Sequence, residues 1–344
     1  MSRGWAAARR AVPRAQQHEQ QSDSMMARVI YIGAPEAPAA GFAALARADF
    51  PELELYATDE RESAAGHLAD AQAIIAHHFQ FDEALIRRAP RLRWIQSLTS
   101  GTDAIVRLPS LAPGVLITTT RGMHGPQMSE LVFLQMLALA RNFRRLLHNQ
   151  REHRWERWPQ PLLCGKTLVI VGVGAIAEAV ALRGEAFGMR VFGVSASTRR
   201  PPGFERIFPR CELREAAAAA DFLVLIVPLS AATENLVDER ILAGMKPGAF
   251  LINVARGGVL DERALLECVR AGRIGGAALD VFRQMPLPAD DPLWAEERIL
   301  ITPLLGGMSD VYLEQAYPYV KENLRHFLAG RLDLLLNVVR RPEP

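Results

Sequence analysis

Val169-Ile170-Val171-Gly172-Val173-Gly174-Ala175-Ile176-Ala177 opens on an apolar run, passes through two glycines and continues into helix-forming residues. The spacing is G-x-G-x-x-A, an accepted form of the dinucleotide fingerprint. Gly172 permits the tight turn, and Gly174 lets the backbone approach a pyrophosphate seated on the positive end of the next helix. Such a pattern is weak alone, since a plain strand-to-helix turn can carry it. Its place after an apolar strand gives it weight, and cofactor contacts are expected at Gly172, Gly174, Ala175 and Ile176.

The flanking sequence repeats the same unit. Lys166–Val171, Met189–Val194, Phe222–Val227, Ala249–Val254, Gly276–Val281 and Ile299–Thr302 read as strands, mostly as continuous apolar runs suited to a sheet covered on both faces. Ala175–Phe187, Glu234–Gly244 and Glu262–Ala271 read as helices, with Asp238 and Asp261 as N-caps and Gly272 as a stop. Upstream, Arg28–Gly33, Glu52–Ala57, Ala73–His77, Trp94–Leu98 and Val115–Thr119 read as strands, with helices at Phe42–Arg47, Glu62–Leu68 and Asp82–Arg88. The fold class is therefore α/β with parallel sheets. Gln127–Leu147 reads as one long helix, apolar nearly all round at its start and so buried between layers. His77 and His78 read as structural, with no carboxylate expected beside them.

Where an NAD site usually carries an acid for the ribose 2′-hydroxyl, the chain reads Ser195-Ala196-Ser197-Thr198-Arg199-Arg200. Hydroxyls and guanidinium groups suit a 2′-phosphate that a carboxylate would repel. NADP is favoured over NAD, with Ser195, Ser197, Arg199 and Arg200 as its contacts; a solvated arginine pair is the plainer reading.

The bulk numbers are permissive. The chain has 344 residues, 23% charged and 49% hydrophobic, with a net charge of +2. These values fit a soluble two-domain protein and give no case for nucleic acid or a membrane. Three cysteines without close spacing suggest neither a disulfide framework nor a metal site, and a reducing, cytoplasmic setting is expected. Residues 1–25, arginine-rich and with no acid before Glu19, read as a disordered extension, with a transit peptide or an upstream start as alternatives.

In order, Gly172–Ala177, Asp221–Pro228 with Thr233, Asn253–Gly257, Ala277–Val281 and Thr302–Gly307 resemble the motifs of the D-isomer-specific 2-hydroxyacid dehydrogenases. The resemblance runs from about residue 27 to 340. It implies two Rossmann-like or flavodoxin-like domains, a cofactor domain (122–303) inserted into a discontinuous substrate domain (26–121 plus 304–340). It also implies a homodimer formed through the long helix. By the same resemblance, Ser100, Gly101 and Thr102 bind the substrate carboxylate, although Thr102 or Asp103 could equally cap a helix. Arg256 contacts carboxylate and carbonyl; Val227, Pro228, Val254 and Ala255 line the nicotinamide; Asp280 lies near its amide. The implied activity is hydride transfer between NAD(P)H and a small 2-oxo or 2-hydroxy acid.

The chain departs from the family at the acid. Met285 stands where the family has glutamate, and Leu304 where it has histidine. Neither side chain can carry a proton, and the two are expected to pack as an apolar pair. His124, between the early strands and the long helix, is the best substitute acid, ahead of Tyr312, Tyr317 and His153; a plain hinge histidine is the alternative reading. Three readings follow: a 2-oxo acid reductase with a substitute acid, a dinucleotide-binding protein with little turnover, or other redox chemistry on an apolar substrate.

Overall fold

The computed structural model describes residues 27–197 and 199–340. The N-terminal segment read as an extension lies outside the described residues. The chain begins with β1 (Arg28–Ile32), α1 (Ala39–Asp49), β2 (Glu54–Thr58), β3 (Ala73–Ala76), α2 (Glu83–Arg87), β4 (Trp94–Ser97) and β5 (Leu116–Thr119). These strands pair in parallel in the order β5-β4-β3-β1-β2, the flavodoxin-like arrangement. Every residue of β3, β4 and β5 is buried, as parallel strands covered on both faces require. The helix expected at Glu62–Leu68 is instead two short turns of 3₁₀ helix, Glu62–Gly66 and Leu68–Asp70. Gly66 weakens an α-helix there, and the segment is too short to offset nucleation.

The expected long helix is two helices, α3 (Gly125–Ala140) and α4 (Phe143–Arg151). The break falls at Asn142, which adopts φ 49° and accepts a hydrogen bond from the Arg145 amide as cap of the second helix. An asparagine tolerates the left-handed region better than most residues, so the chain turns at that point. α3 lies against the second sheet and buries Met128, Val132 and Met136.

The second sheet is built from β6 (Thr167–Val171), α5 (Ala175–Ala186), β7 (Arg190–Ser195), β8 (Arg206–Pro209), α6 (Leu213–Ala219), β9 (Phe222–Leu225), α7 (Glu239–Ala243), β10 (Phe250–Asn253), α8 (Glu262–Arg270), β11 (Gly276–Leu279) and β12 (Ile299–Ile301). Its order is β12-β11-β10-β9-β6-β7-β8, with all neighbours parallel. This is the dinucleotide-binding order with one strand added beyond β11. β8 escaped the sequence reading because it is a polar, half-exposed edge strand ending in proline. Asp238 and Asp261 do cap α7 and α8, accepting from the Ile241 and Ala264 amides. Helix α7 is shorter than expected, because Asn235 at φ 47° keeps the preceding residues out of it.

The chain then returns through α9 (Tyr312–Leu328), which packs on α1, to β13 (Val338–Arg340), antiparallel to β5 at the edge of the first sheet. Separate apolar clusters fill the faces of each sheet. The second sheet reverses its order between β6 and β9, where such sheets open a crevice beyond their strand ends.

Candidate active site

A cleft of about 1070 Å³ opens at that switch point, between the ends of both sheets. Gly174, Ala175, Ile176, Val227, Pro228, Val254, Ala255, Arg256 and Asp280 line it from the second sheet. Ser100, Gly101, His77, His78 and Glu36 line it from the first, and His124 and Tyr312 from the helices between.

The glycine turn suits a dinucleotide. Gly172 adopts φ 99°, and a Cβ there would stand 3.0 Å from the Ile226 carbonyl and Val227 Cα, so any side chain is both strained and crowded. Gly174 is extended, and a Cβ built on it meets nothing within 4 Å. No side chain caps the N-terminus of α5, so its free amides face open space, as a pyrophosphate needs. When bound, NAD(P)H supplies the hydride.

Beside Gly172, whose amide bonds the Val194 carbonyl at 2.9 Å, β7 ends without an acid. Ser195 Oγ accepts from the Ser197 amide at 3.0 Å, and Ser197 Oγ from the Arg199 amide at 3.2 Å. Arg199 pairs with Glu178 at 3.0 Å, and Arg200 donates to the Glu205 carbonyl at 3.2 Å. Ser197, Arg199 and Arg200 are exposed, and this loop lies outside the main cleft.

The turn after β10 aims Arg256. Buried Asn253, which the sequence reading left without a role, accepts from the Ala255 amide at 3.0 Å and donates to the Arg256 carbonyl at 3.1 Å. A short polar residue closing a strand was the available signal. The guanidinium donates to Asp103 Oδ2 at 3.1 Å and to the Ala255 carbonyl at 2.7 Å. It lies so close to Gly101 that a Cβ there would overlap Nη2. Arg256, Ser100 and Gly101 therefore meet in the cleft, whereas Thr102 is buried beneath it. Neither Thr102 nor Asp103 caps the following 3₁₀ turn.

Asp280 holds the loop that carries Leu304. Its carboxylate accepts from Thr302 Oγ1 at 2.5 Å and from the Leu305 and Gly306 amides at 2.9 and 3.0 Å. Burial pushes its carboxyl above the usual range, against these hydrogen bonds, which lower it. Leu304 sits at φ 58°, a strained conformation for leucine. Met285 and Leu304 are both exposed, at 48% and 43%.

His77 Nε2 lies 3.4 Å from Glu36 Oε1, so a carboxylate does stand beside it. Its ring stacks on Tyr312 at 5.2 Å. His78 Nδ1 lies 2.9 Å from Thr99 Oγ1. His124 is 5% exposed, with Nδ1 3.2 Å from Ser100 Oγ and Nε2 3.3 Å from the Tyr312 hydroxyl. Tyr312 spends its one proton on the Leu98 carbonyl at 2.5 Å, so in neutral His124 the Nε2–H donates to Tyr312 and Nδ1 accepts from Ser100. Burial pushes all three imidazoles down to about 4, helped at His78 by the Arg256 guanidinium. Tyr317 instead bonds Asp49 and the Leu45 carbonyl on α1, and Tyr317 and His153 do not line the cleft.

A parallel dinucleotide sheet, an open glycine turn and an arginine presented to a facing loop define a pyridine-nucleotide oxidoreductase. The family model for the D-isomer specific 2-hydroxyacid dehydrogenase NAD binding domain matches residues 133–306. A glyoxylate reductase of Korarchaeum cryptofilum is 32% identical over 257 residues, 73% of this chain and 77% of that protein. The structure of a D-isomer specific 2-hydroxyacid dehydrogenase family protein of Aeromonas salmonicida superposes with TM-score 0.83 at 32% identity, covering 91% of this chain and 99% of that one. An NADPH-dependent glyoxylate/hydroxypyruvate reductase of Sinorhizobium meliloti, solved with NADP and sulfate, gives TM-score 0.79 at 27% identity over 91% and 98% of the two chains. The chain belongs to the D-isomer specific 2-hydroxyacid dehydrogenases and is an NAD(P)-dependent oxidoreductase of that family. Among the described residues, no helix is long and apolar enough to cross a membrane.

Proposed function

We propose that the protein reduces a small 2-oxo acid to its 2-hydroxy acid, using NADPH, with the proton supplied from His124 instead of the family's histidine. The reading rests on Arg256, whose guanidinium lies against Gly101 in the cleft. Its fork can bind the substrate carboxylate and polarise the carbonyl together. Protonation of His124 would turn Nδ1 from acceptor to donor and release the Ser100 hydroxyl. A proton can then pass from imidazolium through Ser100 Oγ to the product oxygen. The proposal takes the domain limits as 26–121 plus 304–340 and 122–303; the division of the strands between two sheets supports this reading.

The sign of the pH dependence follows from the depressed imidazole. With His124 at about 4, the acid form is scarce at neutrality, so the reduction rate should rise about tenfold per unit as pH falls from 7 toward 5. His124→Asn should flatten the profile and lower kcat by about a hundredfold. An unchanged slope in that variant removes His124 from the reaction.

A second reading, dinucleotide binding with little turnover, is favoured by Met285 and Leu304. NADPH consumption with glyoxylate, hydroxypyruvate, pyruvate and phenylpyruvate separates the two. Turnover by the natural protein supports the first; turnover only in Met285→Glu/Leu304→His supports the second.

For the cofactor, Ser195, Ser197, Arg199 and Arg200 favour NADPH. Fluorescence titration should show NADPH binding at least about tenfold tighter than NADH, with the difference lost in Arg199→Ala/Arg200→Ala. Equal affinities in the natural protein would refute the preference. The reading includes a homodimer formed through α3 and α4; the exposure of Leu134, Phe143, Leu146 and Leu147 on those helices supports it. Light scattering should give the mass of two chains, and a monomer at micromolar concentration refutes it.

A further inference from the structure

The cleft holds a second polar centre that the reaction above does not use. Glu36 lies in the loop between β1 and α1, and its side chain is 10% exposed. His77, at the end of β3, has a side chain 3% exposed. Both line the cleft, yet Glu36 Oε2 and His77 Nε2 have no hydrogen-bond partner. Their mutual approach of 3.4 Å is an ion-pair distance without hydrogen-bond geometry. Asp59 lines the same cleft; its Oδ1 accepts from the Ala39 amide at 2.7 Å. Among the described residues, neither Glu36 nor Asp59 is paired with a lysine or arginine; the charged partner of Glu36 is His77 alone. Phe79, 58% exposed, adds an apolar wall beside His77, with ring centroids 5.2 Å apart.

A buried carboxylate oxygen without a donor is costly, and native structures rarely keep one unless a ligand satisfies it. The unmet needs are acceptors of hydrogen bonds and a negative charge. The matching ligand group is a cation carrying N–H donors, and a guanidinium or ammonium on a short alkyl chain meets both needs while its methylenes rest on Phe79. His78 follows His77 directly, and both line the same cleft as Arg256. We propose that Glu36, with His77 beside it and Asp59 near by, is a specificity subsite for a positively charged group at the far end of a 2-oxo acid. It rests on the proposed function for the carboxylate end, which Arg256 holds.

The test reads binding separately from turnover. Calorimetry on the protein loaded with NADP⁺ would compare 5-guanidino-2-oxopentanoate with 2-oxooctanoate, acids of matched chain length that differ in the charged end. The guanidino acid should bind at least about tenfold more tightly. In Glu36→Gln, an isosteric change, that ratio should fall to within about twofold, the loss confined to the guanidino acid. Asp59→Asn should reduce the ratio less. A thermal melt of each variant reports whether the fold survives, and the ratio in the natural protein needs no variant at all. Measurable but equal affinities in the natural protein, or a loss in Glu36→Gln that weakens both acids alike, overturn the subsite and leave the proposed function standing. Binding of neither acid, with no NADPH consumed, overturns both. A tenfold preference without turnover upholds the subsite and counts against the reaction alone.

Discussion

Arg256→Ala should lower kcat/KM for any 2-oxo acid by about a thousandfold, while NADPH affinity stays within about threefold. The two readouts differ because the guanidinium faces the substrate side. It bonds Asp103 and the Ala255 carbonyl and lies against Gly101, while the part of the cleft proposed for the pyrophosphate is lined by Gly174 and the start of α5. Arg256→Lys should recover little. An ammonium keeps the charge but loses the fork that reaches carboxylate and carbonyl at once, so a loss of about a hundredfold is expected. Asp103 sharpens the point. In the free protein it occupies part of the guanidinium, and a substrate carboxylate must share or displace that contact. Asp103→Asn should therefore change KM more than kcat. Arg256→Ala within tenfold of the natural protein would show that the carboxylate is held elsewhere, and the proposed function would fail with it.

Much of the fold was legible because backbone constraints write themselves into residue type. Gly172 is glycine because φ 99° and the Ile226 backbone leave no room, and that requirement is visible as a motif. Asp238 and Asp261 cap because a short acceptor before an apolar-periodic run can do little else as well. The parts that were missed depend on context. β8 has no apolar period, because an edge strand buries only one or two side chains. The break between α3 and α4 turns on one asparagine whose sequence neighbours all favour helix. The site divides the same way. Arg256 and the glycine turn are local in sequence. The pairs Glu36–His77 and His124–Tyr312 join residues far apart in the chain, and nothing in either local stretch signals the partner. Leu304 was singled out from its motif, but its φ of 58° could not be read there. The loop keeps a strained turn, held by Asp280, where the sequence resemblance led us to expect the family's acid.

The largest stability effect should come from Gly257→Ala. A Cβ on Gly257 would overlap the Phe282 carbonyl carbon and the Arg283 amide nitrogen. These are backbone atoms, so no rotamer change relieves the clash. Gly257 is buried at the start of a 3₁₀ turn, Gly257–Val259, directly after Arg256. The segment it meets follows Asp280 and is itself anchored, because the Arg283 amide donates to Glu262 Oε1 at 2.6 Å. Either the turn or this anchored segment must move, and overpacking against backbone costs about 3 kcal/mol or more. For a domain of this size that corresponds to a drop in Tm of roughly 6–12 °C. Gly258→Ala is the control, since its Cβ would meet only Leu229 side-chain atoms at 3.2 Å, which can yield; it should cost under about 1 kcal/mol. Calorimetric melting of the two variants measures the contrast. Equal Tm values would mean that the 256–258 turn tolerates displacement, and the close approach could not then be what aims Arg256 into the cleft. If Gly257→Ala folds at low temperature, its KM for the 2-oxo acid should rise, because a shifted turn carries the guanidinium away from Gly101.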